Sequence, residues 1–180
     1  MSASAFVVVL LGAESTGKTT LAHELEATLA ARGERVARVD EYLREFCVER
    51  GRTPQRDEQA DIAAEQTARI NAAAATADIV VADTSALMIA IYSELVFADT
   101  SLYASALAAH RRARLTLVMA LDLPWRADGL QRDGPQVRSP VDALIRASLV
   151  RAGIASTTID GFGPARPESA LRAIDEARRG

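Results

Sequence analysis

Residues Gly12-Ala13-Glu14-Ser15-Thr16-Gly17-Lys18-Thr19 match the pattern G-x-x-x-x-G-K-[ST] in full. The apolar residues 5–11 precede them, and a helix-like segment, Lys18 to Ala31, follows. Strand, then loop, then helix is the order that a phosphate-binding loop requires. The chain must reverse sharply, so Gly12 and Gly17 let the backbone turn and approach ligand oxygens closely. The N–H groups of residues 13–19, with Thr20 behind them in the first helical turn, then face an anion. The helix dipole adds partial positive charge at the same place. Lys18 is placed to reach β- and γ-phosphates, and the Thr19 hydroxyl to ligate Mg²⁺. The chain is expected to bind a nucleoside triphosphate, with ATP and Mg²⁺ as its cofactors.

The rest of the pattern supplies a fold for that loop. Strand-like runs at residues 5–11, 35–40, 78–83, 115–123 and 156–160 alternate with helical stretches. The first, third and fourth are dense in Val, Ile and Leu, as strands buried on both faces of a parallel sheet must be. Such alternation implies right-handed βαβ units. The expected fold is a three-layer α/β P-loop NTPase with a central, mainly parallel five-stranded sheet. At 180 residues, one domain spanning 1–180 accommodates it. Only 4% of residues are aromatic, so Ala, Val and Leu must do most of the packing. Thr53-Pro54 reads as a helix cap and first helical position, for a helix running to about residue 75. Further helices are expected along the Leu87, Ile91, Leu95 stripe, over residues 102–113, and after Arg166-Pro167-Glu168.

Charge and composition exclude several classes. A net charge of −3 argues against a non-specific nucleic-acid binder, which needs a basic face. Cys47 is the single cysteine, so no intrachain disulfide or cysteine metal cluster can form. His23 and His110 lack zinc spacing. Residues 5–11 are too short to span a bilayer and follow no basic leader. A cytoplasmic protein with a nucleoside-like small molecule as partner, and neither nucleic acid nor membrane, is expected; the oligomeric state is left open. The Asp-x-x-Gly and Asn-Lys-x-Asp motifs of GTPases and the Leu-Ser-Gly-Gly-Gln of ABC ATPases are absent.

Three constellations suggest a phosphotransferase. Ile79-Val80-Val81-Ala82-Asp83 ends a buried strand in a carboxylate, which can hold Mg²⁺ beside Thr19 or simply cap the next helix. Asp40-Glu41-Tyr42-Leu43-Arg44 begins at the C-terminal end of the second strand, the edge where open α/β sheets bind ligands. Glu41, or failing it Asp40, can accept a proton from a substrate hydroxyl, with Arg44 orienting that substrate. Glu41 and Arg44 are also three apart, which suits a solvated helix-surface pair. Tyr42 and Phe46, four apart, suit the core. Residues 124–140 form an Arg-rich lid loop in which Arg126, Arg132 and, with less reason, Arg138 can close over the transferring phosphoryl group. A solvated charged loop fits the same residues. Trp125 reads as an apolar anchor of this loop.

Together these residues resemble the kinase domain of NadR-type proteins, the ribosylnicotinamide kinase-like AAA ATPases. Gly12–Thr19 resembles that family's loop, including Glu14-Ser15. Glu41-Tyr42 with Arg44-Glu45-Phe46 resembles its Glu-Tyr-Gly-Arg-Glu-Phe box, with Leu43 in place of Gly. Gln66 and Asp83-Thr84 fall where the family has the same residues, and Trp125 with Asp128-Gly129-Leu130 resembles its lid motif. The resemblance implies ATP- and Mg²⁺-dependent phosphorylation of the 5′-hydroxyl of nicotinamide riboside. Bifunctional relatives carry an adenylyltransferase domain before the kinase; this chain begins almost at the first strand, so adenylyl transfer is not expected. A kinase for another nucleoside or small alcohol, or an NTP-binding regulator that switches the 124–140 loop, fits the same motifs.

Overall fold

A computed structural model describes residues 5–126 and 134–180. Strand β1 (Phe6–Leu11) is buried on both sides, because its alternating side chains feed two different cores. Val7, Val9 and Leu11 enter one, and Val8 and Leu10 the other. The strands β2 (Val36–Val39), β3 (Ile79–Asp83), β4 (Leu115–Met119) and β5 (Thr157–Ile159) join it in an all-parallel sheet of order β2-β3-β1-β4-β5. The short, only partly buried β2 and β5 are the edge strands; the Val-rich β1 and β3 lie inside the sheet. Both the expected fold class and the five expected strands are present.

The connection from β1 runs one way across the sheet, and every later connection runs the other way. Right-handed crossovers then put α1 (Lys18–Ala31) on one face and the later crossover helices on the opposite face. The cores agree. Leu21, Leu25 and Leu29 of α1 pack with Val8, Leu10 and Met119, joined by Leu171 and Ile174 of α7 (Ala165–Arg179). Each of these leucines is almost wholly buried and contributes about 1.5–3 kcal/mol. The other core gathers α3 (Gln59–Ala74), α4 (Ala86–Phe97) and α6 (Arg138–Ala152) over Val7, Val9 and Val80. A smaller cluster joins α2 (Tyr42–Arg50) to α3, α4 and α5 (Tyr103–His110) through Phe46, Ile62 and Ile89.

Element ends differ from the sequence expectation where side chains take over backbone partners. The helix expected from Thr53-Pro54 begins later. Glu58 accepts the Gln55 amide at 2.7 Å and the Arg52 guanidinium at 2.7 and 2.8 Å, so Gln55 caps a short 3-10 turn that leads into α3. Strand β4 stops at Met119 rather than 123, because Asp122 turns aside to take the Gly161 amide at 2.6 Å. The 124–140 segment is not wholly loop. Pro135 starts a 3-10 turn and Pro140 lies in the first turn of α6, where a missing N–H costs nothing.

A small polar cluster lies among the apolar layers. His110, 3% exposed, sits between the hydroxyls of Ser85 (3.0 Å from Nδ1) and Thr116 (2.9 Å from Nε2). A neutral ring donates through one nitrogen and accepts through the other. Burial pushes its pKa down to about 4. The unfolded chain takes up this proton near pH 6.5, the folded chain only near 4. Its contribution to stability is therefore complete above pH 6.5 and is lost as pH falls through that window. Melting curves of the chain and of His110→Gln between pH 7 and 4 should show a shallower loss in the variant. Equal slopes would mean that His110 is not the group responsible.

Candidate active site

The phosphate loop joins β1 to α1 in the crevice where the sheet's connections change direction, the edge at which open α/β sheets bind ligands. Its glycines answer to different demands. Gly12 has ordinary φ, but a Cβ there would lie 2.8 Å from Thr16 Oγ1 and 2.9 Å from Met119 Cβ. Gly17 is left-handed (φ 78°), and Ser15 shares that region at φ 54°. The bonds that fix the loop go to its carbonyls. Lys18 Nζ donates to the Gly12 oxygen at 2.8 Å and the Ala13 oxygen at 3.1 Å, and Thr16 Oγ1 donates to Ala13 at 2.7 Å. A loop held by its carbonyls keeps its amides for an anion. Gly12, Glu14, Ser15, Thr16, Gly17, Lys18, Thr19 and Thr20 all line one cleft of about 980 Å³; Ala13 is wholly buried beneath it.

The residues expected to hold a cation meet as the sequence suggested. Thr19 Oγ1 donates to Asp83 Oδ2 at 2.5 Å. Asp83 is 1% exposed, and its Oδ1 is buried with no hydrogen-bond partner among the described residues. An unpaired buried carboxylate oxygen beside a hydroxyl is a hard-oxygen donor pair that fits a divalent cation such as Mg²⁺. Asp83 does not cap the following helix; Ser85 does, accepting from the Leu87 amide. Between them Thr84 is held at φ 91°, an outlier for a β-branched residue, with its Oγ1 buried and unpaired.

Glu41 and Asp40 part company. Glu41 is the N-cap residue of α2, yet its side chain makes no capping bond and instead lines the cleft. Burial raises its carboxyl above the usual range, Lys18 opposes that, and Asp83 adds to it. Gln66 positions the turn: its Oε1 accepts the Tyr42 amide at 2.8 Å and its Nε2 donates to the Asp40 carbonyl at 3.2 Å. Asp40 points away, 62% exposed and paired with Arg38. Arg44 lines the cleft, with its Nε 3.9 Å from Glu41. Phe46 is core, and Tyr42 packs on the same cluster with the Arg69 guanidinium 4.3 Å over its ring.

Arg126 is anchored to the phosphate loop. The Ser15 hydroxyl donates to the Arg126 carbonyl at 2.6 Å and accepts the Arg126 amide at 3.1 Å. Arg126 lines the cleft. Arg132, with Asp128, Gly129 and Leu130, lies outside the described residues. Arg138 is buried and donates to the Leu123 carbonyl at 2.9 Å, so it braces the chain just after β4 and does not line the cleft. Trp125 is half-buried beside them.

Two features escaped the sequence reading. The far wall of the cleft comes from Pro54 and Gln59 on one side and Met88 and Phe97 of α4 on the other. No motif marks these residues; only the folded arrangement of α3 and α4 joins them. The second is Arg166. It is 6% exposed and donates to the Thr16 carbonyl at 3.0 Å and to Asp122 at 2.9 Å. An isolated Arg at a helix start carries no sign of a partner 150 residues away.

A phosphate loop at the central strand of a β2-β3-β1-β4-β5 parallel sheet, with a carboxylate at the end of β3, defines a P-loop NTPase. Residues 7–166 match the family model described as an AAA domain, and the chain belongs to that family. Its fold resembles solved NadR structures. One, in complex with NAD and AMP-PNP, is 20% identical with a TM-score of 0.77. Another, in complex with NR, is 21% identical with a TM-score of 0.78. Each comparison covers 98% of this chain and 50% of the NadR chain, so this chain spans half the length of those proteins. No curated protein sequence matches. Among the described residues, no helix is long and apolar enough to cross a membrane.

The Arg166 bracket yields a prediction. Arg166→Met should cost roughly 3 kcal/mol, as breaking a buried pair does, or about 6–12 °C in Tm for a domain of this size. Arg32→Met, which loses an exposed pair with Asp175, should cost under about 1 kcal/mol. Comparable losses in thermal melts of the two variants would refute the assignment.

Proposed function

We propose that this chain is an ATP- and Mg²⁺-dependent small-molecule kinase acting on the 5′-hydroxyl of nicotinamide riboside. The observation that carries the reading is one cleft lined by the phosphate loop, Lys18, Thr19 and Glu41, with Asp83 bonded to Thr19. A nucleotide sensor needs the loop and the cation pair, but has no use for a further, partly buried carboxylate lining the same cleft. NadR structures that share this fold hold NR in one case and NAD with AMP-PNP in the other.

In this reading, amides of residues 13–19 hold the ATP phosphates, and Lys18 leaves its two carbonyls to neutralise the β- and γ-oxygens. Thr19 and Asp83 hold Mg²⁺, which when bound supplies further neutralisation of the phosphate charge. Glu41 takes the proton of the attacking hydroxyl, a role helped by the upward push of burial on its carboxyl. The hydroxyl oxygen bonds to the γ-phosphorus as the bridging P–O bond breaks, releasing ADP. In this reading Arg126 covers the transferring group and Arg44 orients the acceptor; both line the cleft. A pyridinium ring suits an aromatic face or a carboxylate. Tyr92 and Glu14 line the cleft, whereas the Tyr42 ring is already covered by Arg69.

The test is incubation with ATP, Mg²⁺ and a nucleoside panel containing nicotinamide riboside, with products read by mass. Nicotinamide mononucleotide should form, and Lys18→Ala should abolish it. Phosphorylation of a different nucleoside alone would discard the acceptor, and nucleotide binding without any product would discard the kinase. Glu41→Gln should lower kcat at least about a hundredfold, the usual size of a general-base contribution, with little change in nucleotide affinity. An unchanged kcat would remove Glu41 from the reaction.

A further inference from the structure

A second cavity, of about 310 Å³, lies apart from the phosphate loop on the face covered by α3 and α5. Val7 and Val9 of β1, with Ile70 and Ala74 of α3, give it an apolar lining. Its rim is basic. The sequence His110-Arg111-Arg112-Ala113-Arg114, where α5 turns into β4, contributes along its whole length, and no carboxylate lines the cavity. On this acidic chain many arginines find a carboxylate; Arg35, Arg52, Arg69, Arg146 and Arg178 all do. Arg111 donates to the Ala152 carbonyl at 2.7 Å. The guanidinium groups of Arg112 and Arg114 have no hydrogen bond or ion pair among the described residues. The side chain of Asn71, across the cavity on α3, has none either.

Unpaired guanidinium groups at the mouth of a concave apolar cavity concentrate positive potential there. Their planar donor forks match a phosphate group. The volume stands at the small end of the range for ligand sites, roughly 300–1,000 Å³. We propose that this cavity is a second ligand site, which takes a small phosphate-bearing molecule with its anion at Arg112 and Arg114 and its apolar body over Val7 and Val9.

The site lies close to the catalytic edge through a short chain of bonds. His110, in the cavity wall, is bonded to Ser85, which also lines the cavity and caps α4. Thr84, at φ 91°, separates Ser85 from Asp83. A molecule that moves the end of α5 therefore acts on the turn that carries the cation-binding carboxylate. The binding site does not depend on the proposed reaction.

Phenyl phosphate is a suitable probe, because it joins a phosphate to a compact apolar ring. It would be titrated calorimetrically into the chain saturated with AMP-PNP and Mg²⁺, so that the phosphate loop is filled. Saturable binding of one equivalent is expected, weakened at least about ten-fold in R112A/R114A through loss of two charge-assisted contacts. AMP-PNP affinity of that variant should stay within about two-fold of wild type, and R32A/R178A should bind phenyl phosphate normally. No saturable binding, or equal binding by R112A/R114A, would overturn the site. Equal binding of benzoate would overturn the assignment of a phosphate. A phenyl phosphate titration without AMP-PNP, compared between wild type and R112A/R114A, keeps this result separate from any failure of nucleotide binding.

Discussion

The phosphate loop must stay in a strained, open shape while its amides point away from the protein, and the molecule is arranged around that demand. The loop is gripped from behind. Lys18 and Thr16 hold the Gly12 and Ala13 carbonyls, Arg166 holds the Thr16 carbonyl, and the Leu21 amide takes the Gly17 carbonyl at 3.0 Å. Ser15 is tied to the Arg126 backbone through both of its hydrogen-bonding capacities. Each grip costs the fold a polar group in a place where apolar packing would be simpler. Arg166 and Asp122 show this best, since a buried ion pair gives little net stability but fixes geometry.

The same demand explains the sheet. A strand that ends in such a loop needs neighbours on both sides to hold it straight, and β1 has β3 and β4. Because the next connection reverses direction, the ends of β1 and β3 stand side by side, and Asp83 meets Thr19 without any special contact to arrange it. Local sequence and global fold ask for the same thing here, which is why the arrangement is specified strongly. The strained Thr84 is the exception, a local cost at the point where β3 must hand its carboxylate to the site.

The legibility of the chain follows from this division. Strands β1 and β3 were plain because parallel strands buried on both faces are continuous apolar runs, and the loop was plain because its mechanism fixes spacing. Thr19 and Asp83 could be paired because a buried apolar strand that ends in a carboxylate supplies the cation partner such a loop needs. Asp40 and Glu41 could not be told apart, because adjacent residues differ only in which way the chain turns, and that is decided by Gln66 from another helix. Arg138 was hard to place for a related reason: an arginine in such a segment serves equally as a brace or as a phosphate contact. The placing of Pro54, Gln59, Met88 and Phe97 on the cleft and the Arg166 bracket were invisible, since their meaning lies wholly in contacts across long sequence separations.

The order of strands also has a consequence in time. During synthesis β1 emerges first, but both of its neighbours come much later, one at residues 79–83 and the other at 115–119. Chains emerge at only about 5–20 residues per second, so the first strand waits several seconds for partners. Throughout that wait an apolar segment and its glycine loop have no sheet to join. The last grip on the loop comes from Arg166, close to the end of the described chain. A nascent chain halted after β4 would carry the whole phosphate-loop sequence and still lack this latch.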